Sequence, residues 1–72
     1  MQDINKEVGN RIRVLRETKG LSQDLLAVRS GLHRSHVGQV ERGESNVTVR
    51  TLWKIGAALG VPVRELVRSL EP

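Results

Sequence analysis

Apolar residues recur along this chain at helical steps, and no segment alternates with period two over a useful length. Ile4, Val8, Ile12 and Leu15 follow at steps of four, four and three. That spacing lines one face of a helix, expected from about Asp3 to Lys19 and stopped by Gly20. Ser22 can cap a second helix that ends near Ser30, with Asp24 in its positively polarised first turn. A third helix is expected from about His33 to Arg42, before Gly43. Thr48 is the natural N-cap of a fourth, in which Val49, Leu52, Ile55 and Leu59 make the apolar stripe and which Gly60 ends. Pro62 suits the first turn of a fifth, since its φ is fixed and its missing N–H costs nothing there. Val63, Leu66, Val67 and Leu70 give that helix its apolar face. The expectation is an all-α fold, five short helices around one core.

The stretch from Gly20 to Gly43 narrows this further. It reads as two short helices joined by a tight turn, with Gly20, Gly31 and Gly43 at the breaks. A glycine there enters the left-handed conformation that closes a helix without steric cost. Leu21, Leu26, Ala27, Leu32, Val37 and Val40 can converge on one side of the pair, while Arg34, Ser35 and Gln39 face outward. This is the layout of a helix-turn-helix, made from helices 2 and 3, that inserts its second helix into DNA.

Composition limits what such a fold can be. Seventy-two residues make one small domain, which buries only ~60% of its unfolded surface and often needs a disulfide, a metal or a partner subunit. There is no cysteine, which removes the first and weakens the second, so self-association is the remaining candidate. No apolar run approaches the ~18 residues of a membrane span, and the N-terminus lacks a secretory pattern. A cytoplasmic location without membrane attachment is expected. Twelve Lys and Arg against eight Asp and Glu give a net charge of +4, a balance that favours polyanionic partners.

The chain resembles the Cro and phage-repressor-like helix-turn-helix family, and within it the small controller proteins of restriction-modification systems. The likeness runs from about Val8 to Leu66. It rests on Arg11-Ile12-Arg13-Val14-Leu15-Arg16, Gly20-Leu21-Ser22-Gln23, Leu26-Ala27, Ser30-Gly31-Leu32, Val40-Glu41-Arg42-Gly43, Asn46-Val47-Thr48, Thr51-Leu52, Ala58-Leu59-Gly60-Val61 and Glu65-Leu66, in order and at the family's spacing. The chain departs from the pattern at Leu25, where a Glu is usual, so that Ser22 lacks its capping-box partner and an apolar side chain is left outside. His36 stands for a common Tyr. Gly56 stands for a common Ala and is expected to weaken helix 4 by about 1 kcal/mol. The implied architecture is a compact lambda-repressor-like DNA-binding domain over residues 1–72, with its helix-turn-helix at 20–43 and dimerisation at 49–70.

The resemblance makes Arg34, Ser35 and Gln39 the base readers. Arg34 can give two parallel hydrogen bonds to guanine, Gln39 can pair with adenine, and Ser35 can meet donors or acceptors; the alternative is a solvated helix face. Ser22 and Gln23 offer a helix N-terminus to a phosphate, and His33, His36, Arg42 and Asn46 flank the reading helix as further backbone contacts. Gly38, within a helix, suggests close approach to DNA or to helix 2. Arg16 and Glu41 match a family pair that bridges helices 1 and 3, a structural role.

Trp53, the only aromatic residue, is expected at a dimer contact with Val67 and Leu70 nearby, against a place at the edge of the core. Leu25 and Val28 make a second apolar patch without an evident role. His33 and His36 are spaced like metal ligands but lack a third, and no catalytic constellation is present, so no metal, cofactor, small-molecule ligand or enzymatic activity is expected. With no effector domain in view, concentration and dimerisation would set the control. The implied function is a regulator that binds a palindromic operator in double-stranded DNA as a homodimer and governs its own operon. An antitoxin tuned by a toxin partner and a protein-interaction module on the same fold are the alternatives.

Overall fold

Three of the helices begin where a side chain takes over a free N–H. In the computed structural model, which describes residues 3–70, Asp3 Oδ1 accepts from the Lys6 N–H at 3.2 Å. Ser22 Oγ accepts from Leu25 N–H at 3.0 Å, and Thr48 Oγ1 accepts from Thr51 N–H at 3.0 Å. These caps open α1 (Ile4–Thr18), α2 (Gln23–Ser30) and α4 (Val49–Leu59). His33 precedes α3 (Arg34–Glu41) without a side-chain cap. Pro62 precedes α5 (Val63–Val67) with extended backbone, so it lies one position outside the first turn in which it was expected. A 3-10 turn, Arg68–Leu70, follows and carries Leu70 off the expected α-helix. There is no strand among the described residues. Of the expected 1–72 domain, residues 1, 2, 71 and 72 lie outside the described residues.

The core is Val8, Ile12, Leu26, Ala27, Val37, Val40, Ile55, Leu59 and Leu66, rimmed by half-buried side chains including Leu15, Leu21, Leu32, Leu52, Val67 and Leu70. Three residues of the expected stripes are not in it: Val63 is half-buried outside the cluster, and Ile4 and Val49 are 57% and 79% exposed. The latter two open their helices, where side chains lean toward the N-terminus and so reach beyond the packed turns.

Helix α3 packs against both α1 and α2, and α4 closes on α2 and α5. Two glycines set how near these elements come. A Cβ on Gly9 would lie 2.2 Å from the Val40 carbonyl oxygen and 2.8 Å from that of Glu41, so α1 and α3 cross backbone against backbone. Nothing in the reading of the sequence singled out Gly9. A Cβ on Gly56 would lie 2.9 Å from the Val61 carbonyl oxygen, and the Val61 N–H donates to Gly56 O at 2.9 Å. Gly56, taken from the sequence as a weak point, is thus the place where the chain after α4 folds back onto the helix.

Candidate nucleic-acid interface

Helix α3 buries Val37, Gly38 and Val40 and turns Arg34, Ser35 and Gln39 outward, with Arg42 exposed just after its end. The turn before it is closed by Gly31, whose φ is +71°, and by the Leu32 N–H donating to Ala27 O at 3.0 Å. Ser30 Oγ donates back to Leu26 O at 2.7 Å, satisfying a buried hydroxyl inside α2. These local bonds set where α3 starts. The three expected base readers therefore share one uncovered face, eight residues long and apolar underneath.

A charged pair anchors that helix from behind. Arg16 Nε donates to Glu41 Oε2 at 2.6 Å and Arg16 Nη2 to Glu41 Oε1 at 3.0 Å. The Glu41 side chain is only 2% exposed and that of Arg16 11%. Arg16 Nη1 also donates to the Leu21 carbonyl at 2.8 Å, and Gln23 Nε2 donates to Glu41 Oε1 at 2.9 Å. One carboxylate thus gathers α1, the start of α2 and the end of α3. Its hydrogen bond pushes the Arg16 guanidinium further above its ordinary range, although burial opposes the charge. Gln23, expected at a phosphate, commits one of its two side-chain N–H groups to this network. The sequence offered no sign of that, because Gln23 and Glu41 meet only in the folded motif.

The other expected backbone contacts are scattered around α3. Ser22 and His33 are exposed and His36 is half-buried. Asn46 accepts from Asn5 Nδ2 at 2.9 Å, which ties the loop after α3 to α1. Arg42 Nε donates to Glu44 Oε2 at 3.0 Å. That bond pushes Arg42 up from its ordinary range and holds the Glu44 carboxyl below its own. The Arg42 side chain lies over Gly38: a Cβ there would sit 3.0 Å from Arg42 Nη1. The bare helix face lies under this guanidinium and not against helix 2, one of the two approaches expected there.

Arg34 has a partner as well. Its Nε donates to Asp24 Oδ1 at 3.1 Å, an exposed pair across the turn of the motif.

On α4, Trp53 is 66% exposed, so it does not sit at the edge of the core. It lines an open cleft of about 440 Å³ with Val49, Arg50 and Lys54. Val67 and Leu70 pack half-buried against the core. Leu25 and Val28 are exposed on α2, Val28 the more so at 78%. Among the described residues there is no cluster of three or more metal-ligating side chains, and no helix is long and apolar enough to cross a membrane.

The sequence profile of the helix-turn-helix family matches residues 12–66. The chain is similar to control protein C.SmaI of Serratia marcescens, 43% identical over 65 residues that cover 90% of this chain and 77% of that one. It is 38% identical to control protein C.MunI of Mycoplasma over 72 residues, covering 99% and 97%. Its fold superposes on the crystal structure of the restriction-modification controller protein C.AhdI from Aeromonas hydrophila with a TM-score of 0.85. There the identity is 50%, over 86% of this chain and 94% of the other.

Proposed function

This chain belongs to the helix-turn-helix family of DNA-binding transcriptional regulators and is not an enzyme, and from that premise we propose that it binds a palindromic operator as a homodimer. In this reading α3 enters the major groove, Arg34, Ser35 and Gln39 meet base edges, and Ser22, Gln23, His33, His36, Arg42 and Asn46 meet the sugar-phosphate backbone on either side. The observation that carries it is the uncovered outer face of α3 on a helix clamped to the core by Arg16 and Glu41.

Two copies place two such helices in successive grooves, about 34 Å apart. The dimer contact falls within residues 49–70, with Trp53 as its anchor and Val67 and Leu70 beside it. Its support is the large apolar surface that Trp53 and Val49 leave in water, since Trp is enriched where interfaces hold most of their energy. Likeness to control proteins of restriction-modification systems supports a cytoplasmic regulator of its own operon.

The test begins with duplexes selected from a random pool by the wild-type protein. The sequence recovered should consist of two related half-sites about one helical turn apart. Its affinity should fall steeply as salt rises. Arg34→Ala should then cost about 1–3 kcal/mol and relax the preference at one base pair per half-site. An equal loss on every sequence would make Arg34 a phosphate contact and overturn its role as a reader.

A further inference from the structure

The pair between Arg34 and Asp24 has no evident use in holding the fold. The two side chains are 61% and 78% exposed, and an ion pair that open to water contributes little to stability. Yet it joins the first residue of α3 to the second residue of α2, ten positions apart, through the single Nε–H of the guanidinium. An arginine has five N–H donors in a rigid planar fork. Engaging Nε leaves the four N–H groups of Nη1 and Nη2, and a guanine edge asks for two parallel donors. The long side chain is held at its neck while its working end stays available.

Asp24 also brings a negative charge to the face that would approach a polyanion. Binding driven by phosphates alone gains from every added positive charge and loses from a negative one. A residue placed there weakens attachment to any duplex, and does so whether or not Arg34 finds its base.

We propose that Asp24 is a specificity-determining residue: it positions Arg34 for one base edge and penalises binding that uses the backbone only. The proposal deepens the reading of Arg34 as a base reader and rests on it. Asp24→Asn therefore loses discrimination without losing binding.

The experiment measures fluorescence anisotropy on three duplexes: the one selected by the wild-type protein, the same duplex altered at the base pair read by Arg34, and a random sequence. The proteins are wild type, Asp24→Asn, Arg34→Ala and the double variant. Asp24→Asn should raise affinity for the random duplex. It should lower the ratio between the selected and altered duplexes by about two- to fivefold, the factor that an exposed ion pair's energy corresponds to. In the Arg34→Ala background the same change should leave that ratio where it was, the signature of a coupled pair. A merely structural role for Asp24 at the start of α2 would lower the melting temperature and leave the ratio untouched, and that result overturns the proposal. So does an equal rise in affinity on all three duplexes, or a change in ratio that persists without Arg34. If Arg34→Ala itself leaves base preference intact, the reading of Arg34 fails and the role of Asp24 falls with it.

Discussion

Three glycines lie inside helices of this domain, and changing each to alanine should give three different results. Alanine is the better helix former by about 1 kcal/mol, so propensity alone predicts stabilisation at all three. At Gly9 the new Cβ would meet the Val40 carbonyl oxygen at 2.2 Å, more than an ångström inside ordinary contact. The neighbour is backbone at the core of α3 and cannot swing away, so α1 and α3 must separate. Overpacking of a well-filled interior costs about 1–3 kcal/mol, and a clash this deep belongs at the upper end. The expected net loss for Gly9→Ala is then about 2 kcal/mol, against a total of only about 5 kcal/mol for a domain of this size. Gly56→Ala, at 2.9 Å from the Val61 carbonyl oxygen, should fall near zero or slightly below. At Gly38 the obstacle at 3.0 Å is the free end of Arg42, which can move, so Gly38→Ala should stabilise by about 0.5–1 kcal/mol. Urea unfolding followed by far-ultraviolet circular dichroism, at one protein concentration because the proposed dimerisation would shift the midpoint, would order the three. The midpoint for Gly9→Ala should drop by roughly 1–2 M. A midpoint raised by Gly9→Ala would mean that helix crossing is not limited by this contact, and the packing argument would fail.

Other consequences follow from the charged groups and the apolar face. Arg16→Ala strands the buried Glu41 carboxylate and should cost about 3–5 kcal/mol; a thermal melt that moves little would show that water reaches the pair. The Glu44 carboxyl is held below its ordinary range by Arg42, so its contribution is present above the unfolded carboxylate pKa and is lost as pH falls through the lower folded value. Carboxyl-carbon NMR should find this titration displaced downward in the wild type and returned upward in Arg42→Ala. Trp53→Ala should shift the protein toward monomer in sedimentation velocity, with unchanged circular dichroism, and an unaltered sedimentation coefficient would remove Trp53 from the interface.

The helices were legible because their ends carry local signals. Ser22 and Thr48 cap the helices that start just after them, and Gly31 and Gly60 stand in the left-handed conformation at their ends. The apolar stripes identified the buried side of each helix but not how far its neighbours extend, which is why Ile4 and Val49 were misplaced. Contacts between distant segments were the least visible. Gly9 gave the same hint as Gly38, a glycine inside a helical pattern, but only the crossing of α1 over α3 explains it. Nor does any spacing relate Gln23 to Glu41 or Asp24 to Arg34. Those pairs exist because the turn after α2 brings the start of one helix beside parts of the other.

Two kinds of ion pair meet at α3, and under the proposed function they suit two different tasks. Arg16 and Glu41 are buried and joined by two hydrogen bonds, so separating them is costly and the angle of α3 is fixed before any ligand arrives. Arg34 with Asp24 and Arg42 with Glu44 are each more than half exposed. Pairs of that sort are worth about 0–1 kcal/mol, less than one good contact to a base at about 1–3 kcal/mol. If Arg34 and Arg42 meet DNA as proposed, these pairs hold two flexible arginines near the positions they would use and neutralise part of the free face. In the proposed complex a phosphate can take Arg42 from Glu44 at little expense, while Asp24 keeps Arg34 Nε and leaves its outer N–H groups to a base. In that reading the rigid pair sets where the helix points, and the exposed pairs set how its arginines are presented to DNA.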